Sequence, residues 1–185
     1  KMTLKEQVYN QIFDDIAQGK YQANDILTAI RIAKEFHVKL TLEHTTEGNL
    51  IVDELVKAGY PCAVGPSLGH ATKFELQNKT WTTPGVLAKA GCQVSIITDA
   101  PVTPQKYLSL CAAMAVRAGM EPYEALKAIT INPAKHLGIE DRVGSLAVGK
   151  DADILIFSGD PLDGISLPDQ VLIDGKLIEN TSGQL

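Results

Sequence analysis

The alternation of short apolar runs with amphipathic helical segments constrains this chain more than any other feature of its sequence. Three runs have the composition of buried strands: Val38–His44 ("VKLTLEH"), Tyr60–Ser67 ("YPCAVGPS") and Cys92–Asp99 ("CQVSIITD"). A helical segment follows each run, and two amphipathic helices are predicted in succession over 105–119 and 122–138. Strands separated by helices in this order predict βαβ units and a parallel sheet, so we expect an α/β fold.

Composition narrows the class of protein. With 185 residues, of which 45% are hydrophobic, the chain can form a core of about one domain. Its net charge of -5 comes without a basic stripe, which predicts neither a nucleic-acid nor a membrane partner and favours a small-molecule substrate. The chain has three cysteines, an odd number, and each lies in an apolar run, which is typical of reduced core residues. With no apolar signal core or membrane span in the sequence, we expect a cytoplasmic protein.

Two polar side chains stand where predicted strands end. His44 follows the first strand and Asp99 follows the third. In parallel α/β folds, ligands and catalytic groups gather at the carboxyl ends of the strands, and an imidazole with a carboxylate is a donor set that suits Zn²⁺. Two structural alternatives remain open at this point: His44 as a cap of the helix that begins near Thr46, and Asp99 as a turn residue.

The C-terminal third carries the most specific motifs. "ITINPAKHLG" (129–138), "VGSLAVGKDADILIF" (143–157) and "VLIDGKLI" (171–178), the last a predicted hairpin with Asp174 and Gly175 at its turn, together resemble the end of the amidohydrolase superfamily. "DILTAIRIAKEF", "LTLEHTTEG" and "VSIITDAP" resemble the last barrel units of its imidazolonepropionase-like members. The resemblance covers about residues 25–180.

The resemblance implies an architecture in three parts. Residues 29–138 would form a partial (β/α)₈ TIM barrel, about the last three βα units. Residues 139–185 would form the C-terminal β-strands of a small composite β-domain. Residues 1–28 are expected to be an atypical N-terminal amphipathic helix and turn, with Val8, Ile12 and Ile16 on one stripe. This helix is similar to the opening helix of winged-helix repressors of the gluconate-repressor type, but no recognition helix or basic wing follows it.

The resemblance also implies a reaction. Asp99 matches the eighth-strand aspartate, which ligates metal and takes a proton from the attacking water before passing it to the leaving nitrogen. His44 matches the sixth-strand histidine, interpreted here as a metal ligand. The implied activity is hydrolysis of a C–N bond in an amide or cyclic amide by metal-activated water, with one or two divalent ions such as Zn²⁺.

The chain departs from the family pattern in ways that favour an alternative. It contains no His-x-His pair, "AQGKYQAN" (17–24) stands where a fifth-strand histidine is expected, and Ala100 replaces the histidine that often follows the aspartate. Three strands cannot close a barrel that takes about 250 residues. The open sheet edge is therefore expected to pair, either in a homo-oligomer or with a missing remainder of the enzyme. The alternative function is a catalytically inactive α/β binding or assembly module with an incomplete metal site.

The polar loop after the second strand supplies the remaining candidates. His70 is a candidate substrate-binding residue, together with Lys73 and Asn78, although a solvated loop histidine is the commoner case. Trp81 and Phe74 could form a lid or anchor the loop to the core. Of the other histidines, His37 is interpreted as structural, and His136 is given no role.

Overall fold

The computed structural model describes residues 2, 3, 6, 7, 10, 26–69 and 76–178. The predicted N-terminal helix therefore lies almost wholly outside the described residues. The chain divides into two compact units, 1–42 and 43–185. In the first unit, helix α1 spans Ile26–Phe36. His37 follows it with φ +53, and the Val38 N–H bonds to the Ala33 carbonyl, a left-handed helix ending in which His37 is structural.

The described part of the second unit contains five helices and five strands, with short 3₁₀ turns at Gly48–Leu50 and Gln105–Tyr107. Their bounds are α2 Val52–Ala58, β1 Cys62–Val64, α3 Thr83–Lys89, β2 Val94–Ile96, α4 Leu108–Arg117, α5 Pro122–Ala128, α6 Ile131–Leu137, β3 Ile154–Ile156, β4 Gln170–Ile173 and β5 Lys176–Ile178.

The strands β1 and β2 form the predicted parallel pair. Cys62 pairs with Val94 and Val64 with Ile96, and α3 lies between the two strands in the sequence. Both strands are buried along their whole lengths, as expected for a parallel sheet covered on both faces. The prediction of an α/β fold with a βαβ unit is confirmed.

The first predicted strand is much shorter than the sequence suggests. Within 38–44 only Leu42 has a bridge pairing. Directly after this segment, the Thr45 N–H donates to the Ala63 carbonyl at 2.9 Å, so the chain runs beside β1 as it enters the second unit. An apolar run becomes a strand only over the residues whose backbone groups find a partner, and the sequence pattern does not report the partner.

The main core lies where β2 packs against α4 and α5. Alanine side chains predominate in this cluster, which lets the two helices approach closely, and Leu68 and Trp81 pack against it. Its buried members are Ile96, Cys111, Ala112, Ala115, Met120, Ala125, Ala128 and Leu162.

The helix predicted over 122–138 is in fact two helices. α5 ends at Ala128 and α6 begins at Ile131, with Thr130 between them at φ -130 and ψ -90. Pro133 explains the break, because its ring would clash with the Ile129 carbonyl in a continuous helix and it has no N–H to donate. In the first turn of a new helix, the same proline is tolerated.

The C-terminal strands form an antiparallel sheet of order β3-β4-β5. Ile154 pairs with Leu172, and Leu172 pairs with Leu177. The predicted hairpin is confirmed: Asp174 at φ +51 and Gly175 at φ +75 form the turn between β4 and β5. Apolar side chains on this sheet are strongly exposed, including Leu155, Ile173 and Leu177.

Across the described ranges, no helix combines the length and apolar character that a bilayer crossing requires.

Candidate active-site rim

His44 and Asp99 occupy equivalent places at the ends of neighbouring chain segments. His44 precedes the residue that bonds to β1, and Asp99 follows β2 after Ile97 and Thr98. Both residues are exposed. Both also have left-handed backbones, φ +54 for His44 and φ +51 for Asp99. Non-glycine residues rarely adopt this conformation, and where they do it is often at functional sites.

Gly65 contacts both the His44 side chain and the segment that leads to Asp99. The His44 Nδ1–H donates to the Gly65 carbonyl at 3.2 Å. On its other side, Gly65 approaches β2 so closely that a Cβ added to it would lie 2.0 Å from the carbonyl oxygen of Ile97. His44 and Asp99 therefore lie on one rim at the end of β1, where Gly65 contacts the His44 ring and the segment that leads to Asp99.

The bond to Gly65 also sets the tautomer of His44. A carbonyl oxygen only accepts, so the proton of a neutral imidazole lies on Nδ1 when this bond forms. Nε2 then carries the free lone pair. A histidine whose second nitrogen donates to a backbone carbonyl is the usual arrangement for a metal ligand. The bond also means that the His44 side chain is held by the residue after β1 rather than serving as a cap of the following helix.

The turn after β2 is built from backbone hydrogen bonds and does not use the Asp99 carboxylate. The backbone carbonyl of Asp99 accepts from Val102 N–H at 2.8 Å, and Thr98 O accepts from Thr103 N–H at 3.1 Å. The Thr103 hydroxyl donates to Leu68 O at 3.3 Å, which ties this turn to the loop after β1. Within the described residues the carboxylate itself has no hydrogen-bond partner, so the turn does not depend on it.

A buried threonine holds the segment that follows His44. The Thr83 hydroxyl lies 3.1 Å from the Thr46 carbonyl and 2.9 Å from Asn49 Oδ1. Thr45, Thr46 and Thr83 are all buried. Because α3 carries Thr83, this contact fixes the rim segment to the helix that connects β1 with β2.

We expect Thr83→Val to destabilise the fold by about 1–3 kcal/mol, because it leaves two acceptors without their shared donor in a buried position. Urea unfolding measures the loss. Thr82→Val is the matched control, since Thr82 is the preceding residue and is exposed, as is its hydrogen bond with the Thr80 hydroxyl at 3.2 Å; its effect should stay below about 1 kcal/mol, because exposed groups bond to water instead. Equal losses in the two variants would contradict the role given to Thr83.

The loop between β1 and α3 is described only in part. His70, Lys73 and Phe74 lie outside the described residues. Asn78 uses its backbone, whose N–H donates to Glu47 Oε1 at 2.7 Å. Trp81 is partly buried against the core cluster, so it anchors the loop in the way that the second sequence interpretation predicts.

Sequence reasoning missed a contact beside His44. His136, which was given no role, places Nε2 2.6 Å from Oε1 of Glu43, the residue before His44. The sequence offered one indication, the position of Glu43 directly before the candidate ligand. It could not show that a histidine 93 positions away would reach it.

The side chains of His44 and Asp99 are of types that bind metal ions. His44 Nε2 and the Asp99 carboxylate offer the nitrogen and oxygen donors that Zn²⁺ accepts. No cluster of three or more potential ligands occurs among the residues described. These two side chains would thus supply part of a set that normally has three or four protein ligands.

The cysteines are poor candidates for completing the site. Burial, reinforced by the neighbouring Cys92, raises the pKa of the Cys62 thiol to about 12. Burial also raises the pKa values of Cys92 and Cys111. Since the thiolate is the form that ligates metal, thiols with raised pKa values bind metal weakly near neutral pH.

Comparison with known proteins identifies the family. The model of the amidohydrolase family matches residues 21–178, and the chain belongs to that family. Amidohydrolase tasK of Hapsidospora irregularis is 29% identical over 159 residues, 84% of this chain and 16% of that protein. The imidazolonepropionase of Streptococcus pyogenes serotype M1 is 31% identical over 119 residues, 62% of this chain and 28% of that protein.

A solved structure is similar over nearly the whole chain. The amidohydrolase from Thermotoga maritima MSB8 superposes with a TM-score of 0.79 at 35% identity, covering 95% of this chain and 53% of that one. The chain thus spans about half the length of this relative and a smaller share of the two curated ones.

Proposed function

We propose that this chain is the C-terminal part of a metal-dependent amidohydrolase that hydrolyses a C–N bond in an amide or cyclic amide. The observation that carries the proposal is the convergence of His44 and Asp99 on one rim through Gly65. In this proposal, residues 29–138 are the last three βα units of a TIM barrel and 139–185 belong to a small β-domain. The rest of the enzyme would supply the remaining ligands.

The residues of the rim divide the chemistry between them. His44 would hold the metal through Nε2, since Nδ1 is engaged with Gly65. A bound Zn²⁺ would polarise the substrate carbonyl and acidify water. Asp99 would accept a proton from the attacking water and deliver it to the leaving nitrogen, for which its carboxylate is exposed and unengaged within the described residues. His70 is retained as a proposed substrate contact.

We expect His44→Asn to weaken Zn²⁺ binding at least about tenfold, because it removes one of the few protein ligands. Isothermal titration of the chain with Zn²⁺ measures this. Asparagine tolerates the left-handed backbone of His44, so the fold should be unaffected. His37→Asn is the matched control: His37 is also an exposed histidine, with φ +53. A variant at position 44 that binds Zn²⁺ as the unmodified chain does would contradict the proposal.

A second candidate function is a catalytically inactive module for binding or assembly, including self-association. The observation that favours it is the exposed apolar side chains on one face of the β3-β4-β5 sheet, where Leu155 is 57% exposed, Ile173 55% and Ile178 45%. Exposed patches of this kind mark interaction surfaces. This function predicts a stable oligomer by light scattering and no specific Zn²⁺ binding at His44, so the same titration separates the two candidates.

A further inference from the structure

We infer that His136 is a positioning residue, which holds Glu43 and through Glu43 fixes His44 at the rim. The part of this inference that concerns metal binding rests on the proposed function. The His136 Nε2–H donates to Glu43 Oε1 at 2.6 Å, and the His136 side chain is only 8% exposed. The contact joins the last helix before the C-terminal sheet to the residue next to the candidate ligand.

The His136 ring depends on this one contact. Its Nδ1 is buried and has no hydrogen-bond partner in the described part of the chain. A buried imidazole with one nitrogen unsatisfied is costly, and the bond from Nε2 to a carboxylate offsets part of that cost. The arrangement favours the tautomer with its proton on Nε2. Glu43 is therefore held by a ring that has a single orientation available for bonding.

α6 is a fixed support for this contact. Its Asn132 side-chain amide donates to the Val94 carbonyl at 2.8 Å, and the Gln93 amide approaches Asn132 O at 3.5 Å. One end of the helix is thus attached to β2, while His136 near the other end reaches Glu43. α6 thus connects the strand that leads to Asp99 with the segment that carries His44.

Glu43 and His44 are consecutive residues tied to different elements. Glu43 is bound to α6, whereas the His44 imidazole is bound to the carbonyl of Gly65 after β1. They share a peptide unit, so the position of Glu43 restricts the orientations open to His44. The left-handed backbone of His44 also requires support, because a strained conformation persists only when the surrounding contacts hold it.

The test replaces His136 by phenylalanine, which keeps a flat ring but has no donor, and by glutamine, which keeps an N–H donor. In the metal-free chain, the ¹⁵N and ¹H resonances of the His44 imidazole should shift towards a mixture of tautomers in His136→Phe. They should stay close to the original values in His136→Gln. The Zn²⁺ dissociation constant should rise about tenfold in the first variant, at the low end for residues that hold a ligand in place, and stay nearly unchanged in the second.

Arg142→Gln is the control, since it breaks an exposed ion pair of the same 2.6 Å length, to Asp151, elsewhere in the same unit. It should move neither readout. If circular dichroism shows that His136→Phe is unfolded, Glu43→Ala removes the same bond from its exposed side, with the same shift expected. Unchanged His44 resonances in a folded variant overturn the inference. Absence of Zn²⁺ binding both in this chain and in a longer chain that carries the upstream barrel strands would instead overturn the proposed function, while the resonance test still decides the role of His136.

Discussion

Asp99→Asn is expected to lower the rate of C–N hydrolysis by about a hundredfold to ten-thousandfold, the range for loss of a general base. Asparagine has nearly the same shape as aspartate and tolerates the left-handed conformation found at position 99. It cannot accept a proton from water. The substitution therefore removes the proposed chemistry while leaving the turn intact, since the turn bonds use the backbone carbonyls of Thr98 and Asp99.

Asp174→Asn provides a close control for this result. Asp174 has the same φ of +51 and is also exposed, but it lies in the hairpin turn between β4 and β5. Hydrolysis of a panel of amides and cyclic amides would be followed for both variants, with Zn²⁺ added, in a longer chain that carries the upstream barrel strands and hydrolyses at least one of them. We expect the change at position 174 to leave the rate within about twofold, in line with a surface substitution. Similar rates in both variants would remove Asp99 from the mechanism.

The sequence predicts those features of this rim that depend on local pattern. The apolar run before Asp99 and the helices around it indicate a parallel pair, and β1 and β2 form it in register. The placement of Asp99 after β2 follows from the same pattern. The strand predicted before His44 is reduced to a bridge at Leu42. The hairpin at Asp174 and Gly175 is predicted by its turn residues alone.

The hydrophobic pattern of the sequence does not predict every feature of the fold. His136 follows an apolar helix face and looks unremarkable, yet the packing of α6 brings it to Glu43. The prediction of a single helix over 122–138 did not take into account the clash of Pro133 with the carbonyl four residues earlier. The contact of His136 lies outside the window in which hydrophobic periodicity is read, whereas the effect of Pro133 is local and can be read from the sequence.

Gly65 shows how much a glycine at a strand end can determine. Its φ is +146, a conformation that residues with a Cβ rarely adopt. A Cβ at this position would lie 2.0 Å from Ile97 O and 3.0 Å from Ile97 Cγ1, and the first of these is a backbone atom of the neighbouring segment. The ends of β1 and β2 can therefore approach as they do only because residue 65 has no side chain.

We expect Gly65→Ala to lower the free energy of unfolding by about 2–6 kcal/mol, from about 1–3 for backbone strain and about 1–3 for overlap with Ile97. Gly69→Ala separates the two contributions. Gly69 also has a positive φ, +113, but a Cβ there would meet no atom of the described residues within 4 Å, so only the strain of about 1–3 kcal/mol applies. Urea unfolding of both variants gives the difference.

Gly65→Ala should also affect His44. Relieving the overlap must move the end of β1 away from Ile97, and Gly65 O moves with it. Since that oxygen accepts the bond from His44 Nδ1, the alanine at position 65 should disturb the His44 imidazole resonances and weaken Zn²⁺ binding, while the alanine at position 69 should change neither. If both variants lose equal stability and both leave His44 unchanged, Gly65 does not join the two halves of the rim, and the convergence of His44 and Asp99 would need another cause.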